Sequence, residues 1–370
     1  MRRELSDSLH ERVAAFIEGS LRSAPPEPFD ALALAIARFQ ATYVPALGRL
    51  CRARGVDLEA AVSADVIPAL PCDVFRLARI SAFGPEDDAC VFRTSGTSLG
   101  AEARGEHPLR TTKTYELGAL AWGSAMLWPD GLTMDAIVLA PPVEESADSS
   151  LGFMLDKFAK RVGGRVSFHL RGGVLDVPGV GRAAAEARDA GRPALVLGTS
   201  FAFVFLLDGI AGSGRLPADF RLPEGSRVMQ TGGFKGRSRE VSPDELRRSI
   251  AALFSLPEPS VVSEYGMTEL SSQLYEGTLS GPPSRGPGFY LAPPWLRVTA
   301  VDPTTLAPLG PGETGILRFV DLANVDSSVA IQTSDLGRVT ADGVELFGRI
   351  PGATPRGCSL AVEELFSSPT

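Results

Sequence analysis

Three histidines and four cysteines are all that the 370 residues hold. That leaves no histidine-rich metal centre, and it restricts any Ser-His-Asp or Cys-His arrangement to His10, His107 or His169. His107, in the turn-like Gly105-Glu106-His107-Pro108, and His169, at the end of an apparent strand, read more as structural than as catalytic residues. Cys51, Cys72, Cys90 and Cys358 have neither metal-like nor redox-like spacing, so reduced thiols are expected in a cytoplasmic chain. A basic excess is missing as well: the net charge of −8 offers no field for a polyanion, and nucleic acid is not expected as a partner. The start, Met1-Arg2-Arg3-Glu4-Leu5, runs into polar residues, so no secretory signal is expected. No membrane span is expected either. The longest apolar run, Ala194 to Ile210, is short and is broken by Gly198, Thr199, Ser200 and Asp208, which suits a buried strand followed by a buried helix.

What is present suits an ordered α/β protein with many turns: 44% apolar residues, 39 glycines and 29 prolines. Apolar residues at helical spacing fill about 5–21 and 29–54, so the first 60 residues or so read as helical. From Ala89 the pattern changes to short apolar runs at 89–92, 136–140, 165–168, 194–197 and 227–230. Helix-like stretches at 111–126, 151–161, 180–190, 200–209 and 243–254 alternate with them. Such alternation predicts parallel strands with crossover helices. After Pro259 the chain becomes strand-rich, with runs at 296–301, 315–320, 329–333 and 343–347 expected to form antiparallel strands.

Four short motifs stand out on this frame. Thr94-Ser95-Gly96-Thr97-Ser98-Leu99-Gly100 is a run of hydroxyls and glycines after an apolar strand, and it reads either as a flexible surface loop or as a cradle of N–H and O–H donors for phosphates. It carries neither the Gly-Lys-Ser/Thr ending of a Walker loop nor a Gly-x-Gly-x-x-Gly fingerprint. Ser263-Glu264-Tyr265-Gly266-Met267-Thr268-Glu269 follows a short strand and precedes a helix-like run. It offers a stacking face, a hydroxyl and a magnesium-binding carboxylate from one turn. Thr333-Ser334-Asp335-Leu336-Gly337 places an Asp at a strand end, where it can accept both hydroxyls of a ribose. Gly348-Arg349 closes the series and alone says almost nothing.

In this order the four motifs resemble those of the adenylate-forming ligase superfamily. Within it, the short length, the early Ile67-Pro68-Ala69-Leu70-Pro71-Cys72-Asp73, the loop without a following Pro-Lys and the ending Arg356-Gly357-Cys358-Ser359 resemble the LuxE-type acyl-protein synthetases of the bacterial fatty acid reductase. The resemblance implies the large-domain fold of those ligases: an α/β class with mixed sheets and crossover helices, an adenylating core over 1–347, and a tail over 348–370 in place of the mobile lid. It also implies ATP and Mg2+ as cofactors, and a carboxylic acid of the fatty acid class as substrate. An acyl reductase or carrier protein is the implied partner.

The implied roles fall on definite residues. Thr94, Ser95, Gly96, Thr97, Ser98 and Gly100 would hold the β and γ phosphates, while Thr231-Gly232-Gly233 and Glu264-Tyr265-Gly266 would border the adenine. Thr268 would touch the α phosphate, Glu269 would bind the magnesium, Asp335 the ribose, and Arg349 would end the core. With no full lid, no lid lysine reaches the transition state, and Lys235 or Arg237 reads either as the replacement cation or as a solvated loop residue. Cys358 would carry the acyl group as a thioester. Arg356 beside it and a short helix starting near Ser359 would both lower its thiol pKa, although a small buried cysteine is the alternative. Leu151–Met154 and Thr199–Phe205 read either as an acyl slot or as plain core.

Overall fold

The computed structural model describes residues 1–94, 104–213, 217–232, 241–280 and 286–350. In chain order the helices are α1 (Arg2–Arg22), α2 (Phe29–Tyr43), α3 (Pro45–Ala53), α4 (Val74–Leu77), α5 (Lys113–Leu127), α6 (Ser150–Arg161), α7 (Val177–Asp189), α8 (Ser200–Ser213) and α9 (Pro243–Phe254). The strands are β1 (Leu70–Pro71), β2 (Cys90–Arg93), β3 (Glu106–Leu109), β4 (Met134–Leu139), β5 (Gly163–Phe168), β6 (Leu170–Arg171), β7 (Val174–Leu175) and β8 (Ala194–Thr199). They continue with β9 (Arg227–Thr231), β10 (Val261–Tyr265), β11 (Leu274–Glu276), β12 (Phe289–Leu291), β13 (Leu296–Val301), β14 (Thr314–Asp321), β15 (Ala330–Thr340) and β16 (Gly343–Arg349). The apolar run from Ala194 is a buried strand followed by a helix, as its interrupting polar residues require.

The predicted helix over 29–54 is two helices. Pro45 lacks the N–H that would continue the ladder, Val44 before it is extended (φ −106°, ψ 102°), and the chain bends by 103° into α3. Among the described residues no single helix is long and apolar enough to cross a membrane.

The chain forms two compact units. One holds Trp122–Gly266 and Leu274–Pro287. Its strands run in the order β11, β10, β9, β8, β4, β5, with β10 through β5 parallel and β11 antiparallel to β10. Parallel strands need crossovers, and α6 to α9 supply them; Ile137, Val196, Phe203, Leu206, Ile250 and Phe254 pack into one apolar core between sheet and helices. Phe203 is fully buried there, so that part of the expected acyl slot is core. At the edge of this unit a buried ion pair joins Arg247 of α9 to Glu276 of β11. Glu276 Oε2 also accepts from Ser263 N of β10 at 2.9 Å.

The other unit holds Met1–Ala121, Met267–Gln273 and the chain from Gly288 on. Here β13, β14, β15, β16 and β12 form an antiparallel ladder, and β1 lies parallel on β15, pairing Leu70 with Ile331 and Pro71 with Gln332. Hairpin β2–β3 pairs Arg93 with Glu106. The amphipathic α1 buries Leu9, Val13, Phe16 and Ile17.

Candidate functional site

The β2–β3 hairpin sets the neck of the hydroxyl loop. Thr94 N donates to Gly105 O and Gly105 N donates to Thr94 Oγ1, both at 2.9 Å, and Arg104 Nη2 reaches Arg93 O at 3.2 Å. The loop between, with Ser95, Gly96, Thr97, Ser98 and Gly100, lies outside the described residues, as do Gly233, Lys235 and Cys358.

Strands β9 and β10 bring two of the expected adenine segments together. Thr231 and Glu264 are register partners, and Thr231 Oγ1 donates to Glu264 Oε2. Burial pushes the Glu264 carboxyl up from 4.5 to about 7, against the hydrogen bond from Thr231. Gly232, just after β9, has φ +70°, and a Cβ there would meet no atom within 4 Å. Tyr265 ends β10 half-buried.

Three carboxylates gather in the other unit. Asp73 follows β1, Glu269 follows the Tyr265-Gly266-Met267 turn, and Asp335 lies on β15. With Cys72, Met267, Gln332, Thr333, Ser334 and Arg349, Asp73 and Asp335 line a cavity of about 60 Å³. That is room for more than one water. Glu269 is buried, and desolvation raises its carboxyl from 4.5 to about 7; Arg349 opposes the rise and Asp73 and Asp335 add to it. The Cys72 thiol, which donates to Met267 Sδ at 3.8 Å, is also pushed up, by burial and then by Glu269, Asp335 and Asp73. Arg349 of β16 donates through Nε to Asp335 Oδ1 at 2.9 Å. Among the described residues no group of three or more histidine, cysteine or carboxylate side chains is placed to hold a metal ion by itself. As a single ligand, Glu269 would suit a magnesium ion that brings most of its oxygen ligands with it, as nucleotide phosphates do.

Gly337 of the Asp-Leu-Gly motif is required by packing. A Cβ there would stand 2.7 Å from Glu345 O and 2.9 Å from both methyl carbons of Leu317.

The helix predicted after Glu269 does not form. Leu270–Gln273 instead lead by a turn into β11, because their polar groups are taken by a distant segment. Ser271 N and Ser272 Oγ donate to Asp321 at 2.9 and 2.7 Å, Ser271 Oγ donates to Asn324 Oδ1 at 2.6 Å, and Asn324 Nδ2 donates to Glu269 O at 2.9 Å. His107, expected in a turn, lies in β3 and holds the backbone of Thr268 through a 2.7 Å bond from Nδ1 to its carbonyl. The run Asp321-Leu322-Ala323-Asn324-Val325-Asp326-Ser327-Ser328 was not singled out in the sequence. Five of its eight residues are polar, which in sequence reads as an ordinary turn between two strands. Asp321 is buried deeply enough that its carboxyl rises to about 6.

Comparison with known proteins settles the family. Residues 183–367, half of the chain, match the family described as acyl-protein synthetase, LuxE. The chain belongs to that family. It is similar to the long-chain-fatty-acid–luciferin-component ligase of Vibrio harveyi, 25% identical over 150 residues that make up 38% of each chain. It is also similar to the protein of that name from Aliivibrio fischeri, 21% identical over 80% of this chain and 78% of that one. The match to the Vibrio harveyi protein thus spans less than half of that relative's length. Among solved structures, an open conformation of 2-hydroxyisobutyryl-CoA ligase superposes with a TM-score of 0.64 at 15% identity, over 89% of this chain and 76% of that chain. ATP-bound MatB from Rhodopseudomonas palustris gives 0.52 at 17% identity, over 72% of this chain and 49% of that one. The chain has the mixed α/β fold of these adenylate-forming ligases.

Proposed function

We propose that this LuxE-family chain is an ATP-dependent acyl-protein synthetase of the cytoplasm. In the first step an oxygen of a carboxylic acid attacks the α phosphorus of ATP, pyrophosphate leaves, and acyl-AMP forms. In the second step the Cys358 thiolate attacks the acyl carbon, AMP leaves with the bonding electrons, and the acyl group rests on Cys358 as a thioester for a reductase or another acceptor. The names of the two ligases support a long-chain fatty acid as the substrate class.

The observation that carries this reading is the convergence of Glu269, Asp335 and Arg349, each from a different motif, around one group of carboxylates. Asp335 accepts the ribose hydroxyls, Thr268 meets the α phosphate, and Glu269 takes one position on magnesium. Magnesium supplies positive charge where two anions must meet. Thr94, Ser95, Gly96, Thr97, Ser98 and Gly100 hold the outer phosphates, and Thr231-Gly232-Gly233 with Glu264-Tyr265-Gly266 border the adenine. Lys235 adds a further cation for the charge that develops at the α phosphate.

The test is ATP–pyrophosphate exchange against a panel of carboxylic acids, followed by intact mass measurement of the chain after incubation with ATP and the best acid. Exchange with fatty acids and a mass increase of one acyl group are expected. No exchange with any acid would refute the enzyme. Exchange without a covalent adduct would mean direct transfer to coenzyme A, a carrier thiol or an amine.

A further inference from the structure

We infer that His107 is a positioning residue that fixes the Thr268-Glu269 backbone for adenylate formation, an inference that rests on the function proposed above. His107 lies fully buried on β3, the strand that leaves the hydroxyl loop. Its Nδ1 is 2.7 Å from Thr268 O and its Nε2 is 2.8 Å from Ser327 Oγ.

The tautomer follows from the partners. A carbonyl oxygen only accepts, so Nδ1 carries the proton and donates to Thr268. Desolvation holds the imidazole neutral, with its pKa lowered to about 4, so Nε2 keeps a lone pair and accepts from the Ser327 hydroxyl. Phe75 meets the ring edge-on, 5.6 Å between centroids, which holds its plane.

One side chain therefore joins three pieces: the strand after the phosphate loop, the turn carrying Thr268 and Glu269, and the Asp321–Ser328 segment. Asn324 anchors the next carbonyl, Glu269 O, from that same segment. With both carbonyls tied, the Thr268 hydroxyl and the Glu269 carboxylate are held at fixed height relative to the hairpin. Small displacements of reacting groups cost much in rate, so this tie acts on turnover more than on binding.

Two substitutions separate its halves. In His107→Asn the amide nitrogen sits where Nδ1 was and can still donate to Thr268; in His107→Gln the amide reaches toward Ser327 and leaves Thr268 O without its donor. Hydrogen exchange of the peptide spanning Gly266–Leu270 and kcat for ATP–pyrophosphate exchange are measured on both. His107→Gln is expected to speed backbone exchange in that peptide and lower kcat by about tenfold, with KM for ATP and acid unchanged. His107→Asn is expected to stay within about threefold of the parent on both measures. Equal effects of the two variants at equal melting temperature would overturn the inference. A parent chain without exchange activity would instead refute the proposed function, and hydrogen exchange, which needs no turnover, would still decide whether His107 holds Thr268.

Discussion

Asp335 and Arg349 stand directly opposite one another on β15 and β16, joined by a 2.9 Å bond from Arg349 Nε to Asp335 Oδ1. Two motifs that are uninformative apart are thus one cross-strand pair. The guanidinium is 74% exposed and the carboxylate 13%. So screened a pair contributes little to stability, about 0–1 kcal/mol. Its effect is to aim the carboxylate.

Asp335→Asn follows from that division. Loss of charge-assisted acceptance from a ribose is expected to weaken ATP binding by about 1.5–3 kcal/mol, roughly ten- to a hundredfold. The melting temperature should move by no more than about 2–4 °C. Calorimetric titration with ATP checks the first and a thermal scan the second; unchanged affinity would remove Asp335 from the ribose role.

Glu264 makes the ligand-free chain sensitive to pH. Its carboxyl rises from 4.5 to about 7 in the fold, so between those values the folded state holds a proton that the unfolded state has lost. The stability contribution is therefore full below 4.5 and falls as pH rises to about 7, at about 1.4 kcal/mol per pH unit. Glu264→Gln, which cannot ionise, should match the parent at pH 4.5 and exceed it above pH 7. Urea midpoints across that range check this, and parallel pH profiles would contradict it.

The buried pair of Arg247 and Glu276 gives a different expectation. Glu276→Gln leaves a guanidinium in the interior without its counter-charge, which typically costs about 3–5 kcal/mol. Denaturant unfolding measures it. A loss below about 1 kcal/mol would show that Arg247 had found another way to be neutralised.

Lys235→Ala and Cys358→Ser should divide the proposed reaction at its midpoint. The first is expected to slow ATP–pyrophosphate exchange by about tenfold or more, as removal of one charge-stabilising donor does. The second should leave exchange intact and abolish the covalent acyl adduct. Adduct persisting on Cys358→Ser would remove Cys358 as the carrier, and unchanged exchange would do the same for Lys235.

Much of the frame was legible because apolar periodicity is local: α9 and β13 fall on the residues the sequence marked, and the Ala194 run resolves into strand and helix. The break at Pro45 was equally local and was passed over within a longer apolar pattern. The site was legible in part. Asp335 and Glu269 carry signatures of their own, whereas the ties on their backbone come from residues more than 50 positions away, such as Asn324 to Glu269 and His107 to Thr268. No local pattern announces a side chain whose partner is a distant carbonyl. The helix expected after Glu269 failed for the same reason, since Asn324 takes the Glu269 carbonyl that a helix would have used.

The crowding around Gly337 separates two histories within one motif. Under the proposed function Asp335 is kept by the ribose it would bind, but Gly337 is kept by the closeness of Glu345 O and Leu317, whether or not any ligand is present. A descendant of this family that had lost its chemistry would be free to change the aspartate and would still need the glycine. The pattern Asp-Leu-Gly with its Asp replaced is therefore the mark to look for in a chain that has kept the architecture and given up the reaction.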